Sequence, residues 1–264
     1  MYRGYLLCFS TQHSALLNRE KGFTLIELSI VIVIIGLIVA AVVGGQNLVK
    51  QAKLRGVITD VNKYKVAHNT FRLEYGGIAG DLRNAYSYFG ASCSDTGAND
   101  DDKCSGNGNK RVELVSDADE NEAYRYWQHL SLASLIEGSY TGLAPTAGRQ
   151  ADIGINVPAT KFENVGWYFD YSDSNGVWSS DKNGFGLGKF RANTAPTAAW
   201  INPKDAKSID EKIDDGEWQT GWVAVSHGTF ATEDCAGGGF PPNTSLDWSL
   251  SDTTDSCYMR FMAD

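Results

Sequence analysis

The sequence predicts an α+β protein in which a long N-terminal helix precedes a head built on an antiparallel β-sheet. Residues 23–43 are apolar except for one glutamate, and residues 44–75 repeat apolar side chains every three or four positions. From about residue 153, short β-prone runs alternate with turn residues. The chain has 264 residues, of which 42% are hydrophobic, so it can bury a sizeable core.

The apolar run at residues 23–43 is long enough to span a membrane, because a helix rises about 1.5 Å per residue and a bilayer core is about 30 Å thick. Its one charge is Glu27. An ionisable group in such a segment costs about 2.5 to 3.5 kcal/mol and usually has a function. No Lys or Arg lies between Phe23 and Val49, so the segment can supply a cation only as an α-amine, created by a cut between Gly22 and Phe23.

The basic leader that ends in Lys21 and Gly22, followed by F-T-L-I-E and the apolar run, closely resembles the N-terminus of type IV prepilins and type II secretion pseudopilins. In that family a prepilin peptidase cuts after the glycine and methylates the new phenylalanine amine. The glutamate four residues later pairs with the N-terminus of a neighbouring subunit. For this chain the resemblance implies a leader at 1–22, processing at Gly22 and Phe23, and filament assembly through Phe23 and Glu27.

The resemblance also implies a pilin-like fold. The helix at 23–75 would place its first half in a filament core and rest its second half on the head at 76–264. The partners implied are copies of this chain or related pilins, the prepilin peptidase and an inner-membrane assembly platform. The chain would be a bacterial inner-membrane precursor first and a periplasmic or cell-surface filament subunit later. Both a type IV pilus and a type II secretion pseudopilus fit this pattern.

Two simpler interpretations compete with a prepilin. An ordinary secretory signal has an apolar core of about 7 to 15 residues before a small-residue cleavage site. Ala40 and Ala41 offer such a site, but the run is too long and contains a carboxylate. A plain one-pass anchor would leave Glu27 without a role.

The charge distribution argues against nucleic acid as a partner. The net charge is −9, and the leader contributes +2 through Arg3, Arg19 and Lys21 against Glu20, which leaves −11 for the rest. A protein this acidic is a poor match for a phosphate backbone. A basic leader beside an apolar span places the N-terminus in the cytoplasm and the rest outside.

The cysteines agree with export to an oxidising compartment. Cys8 lies in the leader, and the other four allow three disulfide connectivities. Shorter loops close more readily, which favours Cys93–Cys104 and Cys235–Cys257. Free buried thiols are the alternative. A disulfide near the C-terminus is also similar to what many type IV pilins have.

The loop at 93–110 is acidic and rich in glycine, which makes Ca²⁺ the candidate cofactor. Ca²⁺ takes six to eight hard oxygen ligands, but the spacing fits no EF-hand. A solvated, disulfide-closed loop is the alternative. The candidate ligands are Asp95, Asp100, Asp101, Asp102, Asn107 and Asn109.

Local signals predict the remaining elements. The first helix should end at Tyr75 before two glycines, and a turn with a short helix should follow at 78–86. His68 lies on the apolar stripe, and we expect it in a core or interface because no second His or Cys lies three or four positions away. Further helices are predicted at 120–136 and 203–213, and strands at 165–171, 184–190, 218–225 and 257–262.

No motif for catalysis is present, so we predict that the protein is not an enzyme. The sequence lacks G-x-S-x-G, H-E-x-x-H, P-loop and C-x-x-C patterns. Paired carboxylates for glycoside hydrolysis leave no sequence trace, so an anchored extracytoplasmic glycan-acting or binding domain is the alternative function. We expect the tryptophans to fill core and subunit contacts instead. The candidate sugar site comprises Asp170, Asp173, Asp214 and Asp215 with Trp167, Trp178, Trp200, Trp218 and Trp222.

Overall fold

The computed structural model describes residues 22–93, 104–115, 121–144, 149–172, 181–218, 220–228, 235–236 and 247–263. The chain forms two compact units, Met1–Leu48 and Val49–Asp264. The division therefore lies inside the first helix and not at its C-terminal end.

The described elements confirm the predicted α+β, pilin-like architecture. The helices are α1 Leu25–Tyr75, α2 Ala85–Phe89, α3 Glu122–Leu132 and α4 Pro203–Ile213, with a 3₁₀ turn at Gly90–Ser92. The strands are β1 Val165–Ser172, β2 Lys182–Lys189, β3 Val223–His227 and β4 Cys257–Met262. They form one antiparallel sheet in the order β1-β2-β4-β3.

The part of α1 that belongs to the first unit is apolar all round and buries almost nothing. Leu25 is 86% exposed, Ile32 62% and Leu37 67%. Among the described residues, α1 is the helix whose length and composition suffice to cross a membrane. Apolar surface on this scale needs lipid or protein to cover it.

In the second unit, the later part of α1 is apolar along one stripe, as an amphipathic helix should be. Tyr64 occupies the centre of this stripe, and its ring centroid lies 5.0 Å from that of Trp127 on α3 and 5.5 Å from that of Trp167 on β1. Tyr126 of α3 stacks on Phe169 of β1 at 3.7 Å. The helices α1 and α3 thus share one core with the sheet. The buried stripe residues are Leu54, Val57, Val61, Tyr64, Ala67, His68 and Phe71.

The two faces of the sheet differ because side chains alternate along each strand. Phe169, Phe185 and Phe261 lie in register on the face toward the helices. On the opposite face, Gly186 lies between Tyr168 of β1 and Arg260 of β4. A Cβ atom at Gly186 would overlap the Tyr168 ring, so glycine is required by this close approach.

Arg260 is a buried cation on that second face. It forms an ion pair with Asp170, and its Nη2 donates to the Asp170 carbonyl oxygen at 2.5 Å. Burial lowers the pKa of Arg260, but the Asp170 charge, the two neighbouring tyrosines and the hydrogen bond to Asp170 together raise it further, so the guanidinium stays charged. Tyr168 and Tyr258 hydrogen-bond through their hydroxyls beside this pair.

Helix α3 ends at Leu132, four residues before the predicted end at 136. Ser134 adopts a left-handed conformation with φ 59°, and the Leu135 N–H bonds back to the Leu130 carbonyl at 3.0 Å. This hydrogen bond closes the helix end in the manner of a Schellman motif. Glycine usually occupies the left-handed position of that motif, which is Ser134 here. A serine in that position gave no local stop signal.

Strand β3 begins at Val223, five residues later than predicted. The Asp214 carboxylate accepts the backbone N–H of Trp222, and that of Val223 at 3.2 Å, and Gly221 has φ 73°. The segment before β3 is therefore a turn held by a side chain. Trp218, which was predicted to start the strand, is buried in the core at 2% exposed.

We expect Gly186→Ala to lower the free energy of unfolding by about 3 kcal/mol, because the added methyl group displaces the Tyr168 ring. Thermal unfolding of the detergent-solubilised chain, followed by tryptophan fluorescence, measures the change. Gly56→Ala is the matched control: its Cβ would meet only the Lys161 side chain at 3.7 Å, and the helix should gain about 1 kcal/mol. Equal effects of the two substitutions would contradict the close approach.

Candidate processing and assembly site

The bond between Gly22 and Phe23 lies in exposed, non-helical backbone just before α1 begins at Leu25. Phe23 is 84% exposed. A Cβ atom at Gly22 would meet nothing within 4 Å, so the described fold does not itself require glycine there. The bond is accessible to an external peptidase.

Thr24 and Glu27 form a capping box at the start of α1. The Thr24 N–H and hydroxyl each donate to Glu27 Oε2 at 2.8 Å, and the Glu27 N–H donates to Thr24 Oγ1 at 3.2 Å. This reciprocal arrangement satisfies backbone donors that a helix N-terminus leaves unpaired. It lies after the Gly22–Phe23 bond, so a cut at that bond leaves it intact.

The capping box uses only one of the two Glu27 carboxylate oxygens. Within the described residues, Oε1 accepts no hydrogen bond and Glu27 forms no ion pair. The carboxylate is exposed at the edge of the apolar run. Glu27 is therefore positioned to accept a further donor through Oε1.

The structure contains the disulfides Cys93–Cys104 and Cys235–Cys257, the two pairs that loop length favoured. Their Cα atoms are 5.6 Å and 4.9 Å apart. The first follows the 3₁₀ turn, and the second ties residue 235 to the start of β4.

His129 connects three distant segments, a role that the sequence did not reveal. The Gly80 N–H donates to His129 Nδ1 at 2.9 Å, and Nε2 lies 2.9 Å from the Cys104 carbonyl oxygen. Nδ1 must therefore be the acceptor and Nε2–H the donor, which fixes the neutral tautomer. Burial lowers the pKa of His129 to about 4. Its partners are 49 and 25 residues away, so no local spacing indicated them.

His68 is buried, and its Nδ1 lies 3.2 Å from the Tyr126 hydroxyl. Its ring centroid is 5.3 Å from that of Phe169. Both neighbours belong to the core shared by α1, α3 and the sheet. The structure thus places His68 within this core, as the apolar stripe predicted.

The calcium-loop prediction falls mostly outside the described residues, because Asp95, Asp100, Asp101 and Asp102 lie there. Both asparagines of the set already serve local turns. Asn107 Oδ1 accepts the Asn109 N–H at 2.9 Å, and Asn109 Oδ1 accepts the Arg111 N–H at 2.7 Å. Calcium binding by this loop stays a prediction.

Two buried carboxylates organise the same loop. Asp81 accepts the Asn109 and Lys110 N–H groups at 3.1 and 2.7 Å. Glu122 accepts the Asn107 and Glu113 N–H groups at 2.9 and 3.0 Å. Burial nevertheless raises the pKa of Glu122 to about 7.

Of the described members of the candidate sugar site, Asp214, Asp215 and Trp222 lie together at the turn before β3, and the others do not join them at the surface. Trp167, Trp200 and Trp218 are buried, and Trp222 is 48% exposed. Asp170 lies on the sheet face opposite Trp167 and pairs with Arg260. Asp173 and Trp178 lie outside the described residues.

A depression of about 560 Å³ lies beside the C-terminal end of α1. Arg72, Arg83, Lys110 and Asp81 contribute to its walls. Among the described residues of these walls, Asp81 is the one with a carboxylate, and its oxygens already hold the loop amides. The described part of the lining therefore does not present the carboxylate pair that glycoside hydrolysis needs.

Protonation of His129 should make the fold less stable in acid. The unfolded histidine titrates near 6.5 and the folded one near 4, so stability is lost as the pH falls from 6.5 to 4, by up to about 3 kcal/mol. Glu122 has the opposite effect because its pKa is raised. Its protonation makes the fold more stable as the pH falls from about 7 to 4.5, which is nearly the same range.

The diagnostic quantity is therefore the difference in unfolding free energy between the wild type and His129→Gln, which cannot take a proton. Urea unfolding at pH 7.5 and pH 4.5 measures it. We expect the unfolding free energy of the wild type, relative to that of the variant, to be lower at pH 4.5 than at pH 7.5. A difference that does not change with pH would contradict the neutral, buried histidine.

Comparison with protein families agrees with this N-terminal geometry. Residues 17–43 match the family model for the prokaryotic N-terminal methylation motif, a range that includes Gly22, Phe23 and Glu27. No curated protein and no solved structure matches the chain. Proteins with this motif are structural and not catalytic. The chain therefore contains the signature of type IV prepilins and pseudopilins.

Proposed function

We propose that this protein is a structural subunit of a type IV pilus or a type II secretion pseudopilus-like filament. It is made as an inner-membrane precursor and is processed by prepilin peptidase after Gly22. The observation that supports this most directly is the exposed Glu27 carboxylate in an apolar helix. Glu27 lies four residues after Phe23, and the Gly22–Phe23 bond is accessible.

Processing creates the cation that Glu27 lacks. Hydrolysis of the Gly22–Phe23 bond leaves a carboxylate on the leader and a free amine on Phe23. Methylation of that amine leaves it basic and positively charged. Because the capping box begins at Thr24, α1 keeps its N-terminal hydrogen bonds after the cut.

Assembly then brings an amine and a carboxylate from different subunits together. Glu27 Oε2 caps its own helix, while Oε1 remains available to the Phe23 amine of a neighbour. Packing of the exposed apolar helices removes water from this contact, which strengthens the attraction and makes an unpaired carboxylate costly. The pair therefore favours one axial register between neighbouring subunits.

The alternative function is an anchored extracytoplasmic domain that acts on glycans or binds them. It predicts an uncut leader and hydrolysis or retention of polysaccharide by the full-length chain. It gives no role to Glu27. Calcium binding by the loop at 93–110 remains a separate hypothesis, which substitutions at Asp101 and Asp102 address.

Mass spectrometry of the chain from membranes and from sheared surface material tests processing. We expect an N-terminus at methylated Phe23. Gly22→Val should leave the fold unchanged, since its Cβ meets open space, but should block the cut. A native N-terminus before Gly22, or one beyond Ala41, would exclude the prepilin mechanism.

Two substitutions at Glu27 separate helix capping from charge pairing. Glutamine also serves in a capping box, so Glu27→Gln keeps the cap and removes only the charge. Glu27→Ala removes both and costs the helix start about 1 kcal/mol. We expect both variants to be processed and both to form filaments about tenfold less efficiently, as a loss of about 1.4 kcal/mol per contact implies.

Filament yield in sheared fractions, with N-terminal mass spectrometry in parallel, provides the readout. Ser29→Ala, which removes another hydroxyl from the same apolar run, is the matched control and should assemble normally. Wild-type yield from Glu27→Gln would show that the charge is dispensable and would reject the pairing mechanism.

A further inference from the structure

Three carboxylates meet where α4 ends and the turn before β3 begins. Asp210 lies in the last turns of α4, Asp214 follows the helix as its C-cap residue, and Asp215 is next. One oxygen from each lies within 4.8 Å of the other two. We call these residues the aspartate triad.

Asp210 is the unusual member because its side chain is fully buried and, among the described residues, has only the Gly216 N–H facing it. Its exposed fraction is 0%, and neither Oδ1 nor Oδ2 accepts a well-formed hydrogen bond from the described residues. The Gly216 N–H faces the carboxylate and favours its charged form only partly. A buried carboxylate in this condition is strongly disfavoured unless a cation or proton neutralises it.

The other two members add negative charge, and Asp214 leaves one oxygen free for a ligand. Asp214 holds the Trp222 and Val223 amides through Oδ2, which leaves its Oδ1 available. Asp215 accepts the Glu217 N–H at 2.9 Å and the Thr220 hydroxyl at 2.6 Å, one on each oxygen. Asp215 is exposed, so the triad is open to solvent on one side.

The described residues do not supply a neutralising cation. Lys65 on α1 is near enough for the Asp214 charge to raise its pKa, although burial lowers it more. Its Nζ lies 4.7 Å from the centroid of the Trp222 ring, and it forms no ion pair with the triad in the described part of the chain. Burial, and then the charges of Asp215 and Asp214, raise the pKa of Asp210 to about 7.

We propose that the aspartate triad binds a Ca²⁺ ion. Ca²⁺ takes oxygen ligands at about 2.3 to 2.6 Å, so ligands on opposite sides of the ion lie about 4.6 to 5.2 Å apart. The triad oxygens lie within 4.8 Å of one another, so they fit inside one Ca²⁺ coordination shell. Mg²⁺ demands near-ideal octahedral geometry and gives up its water reluctantly, so this set of carboxylates suits Ca²⁺ better. Water completes the coordination from the exposed side.

The ion would also fix local structure. Asp214 connects the end of α4 to the first amides of β3, and Asp210 lies within α4. A shared cation therefore joins α4 to the edge of the sheet at β3. This site is separate from the loop at 93–110 and from the processing site.

Thermal unfolding and calorimetry of the chelator-treated, full-length chain in detergent test the proposal. CaCl₂ at about 100-fold above its Kd should raise the Tm of the wild type by about 5 to 10 °C. Asp210→Asn should abolish this rise and, in EDTA, should have a Tm at or above that of the wild type, because it removes an uncompensated buried charge. If Asp210 only supported the fold, Asp210→Asn would lower the Tm in EDTA as well as in CaCl₂.

Asp215→Asn is the second variant, because Asp215 is exposed and the substitution should leave the fold in place. It should weaken Ca²⁺ binding at least about tenfold. Glu163→Gln changes an exposed carboxylate by the same charge and should leave the rise unchanged. Absence of any rise in the wild type, or an undiminished rise in Asp210→Asn and Asp215→Asn, would overturn the proposal. If the rise is lost only in the double variant Asp101→Asn/Asp102→Asn, the ion binds at the loop at 93–110 and the triad proposal is overturned. An equal rise with MgCl₂ would overturn the choice of Ca²⁺.

Discussion

One continuous helix has to satisfy two different environments, and the rest of the structure depends on how it does so. In the first unit, α1 is apolar on every side and exposes that surface. In the second unit the same helix is apolar along one stripe, and Tyr64 on that stripe meets aromatic residues of both α3 and β1. The change of pattern along α1 separates the part that needs an external apolar partner from the part that carries the head's core.

Elements with local signals were predictable. Two glycines end α1 at Tyr75, and Asn202 caps α4, where its side chain accepts the Asp205 N–H at 3.0 Å beside a proline at the first position. β4 was predicted with the bounds that it has. The end of α3 and the start of β3 were not predictable, because a left-handed serine and the Asp214 side chain set them. Neither feature has a sequence signature that distinguishes it from a continuing element.

The candidate sites also divide into those with a local sequence signal and those whose partners are distant in sequence. Gly22, Phe23 and Glu27 were recognisable because processing and helix capping depend on residues within one short segment. Arg260 and His129 were missed because their partners are distant in sequence: Asp170 is 90 residues from Arg260 and Gly80 is 49 from His129. The triad had a local trace in the spacing of Asp210, Asp214 and Asp215 at a helix end. What the sequence did not show is that Asp210 is buried.

The other buried ionisable groups of the head differ from Asp210 in how their charge is compensated. Arg260 is neutralised by Asp170, and His129 avoids a charge by accepting one backbone hydrogen bond and donating another. Asp210 has neither solution within the described residues. Glu27 faces the same physical problem once its helix enters an apolar environment, because no cation lies in its own segment. Under the two proposals both carboxylates obtain the missing positive charge from outside the folded chain, one from the amine of a neighbouring subunit and the other from a metal ion. Filament assembly and ion binding would then each depend on a carboxylate that the isolated chain leaves uncompensated.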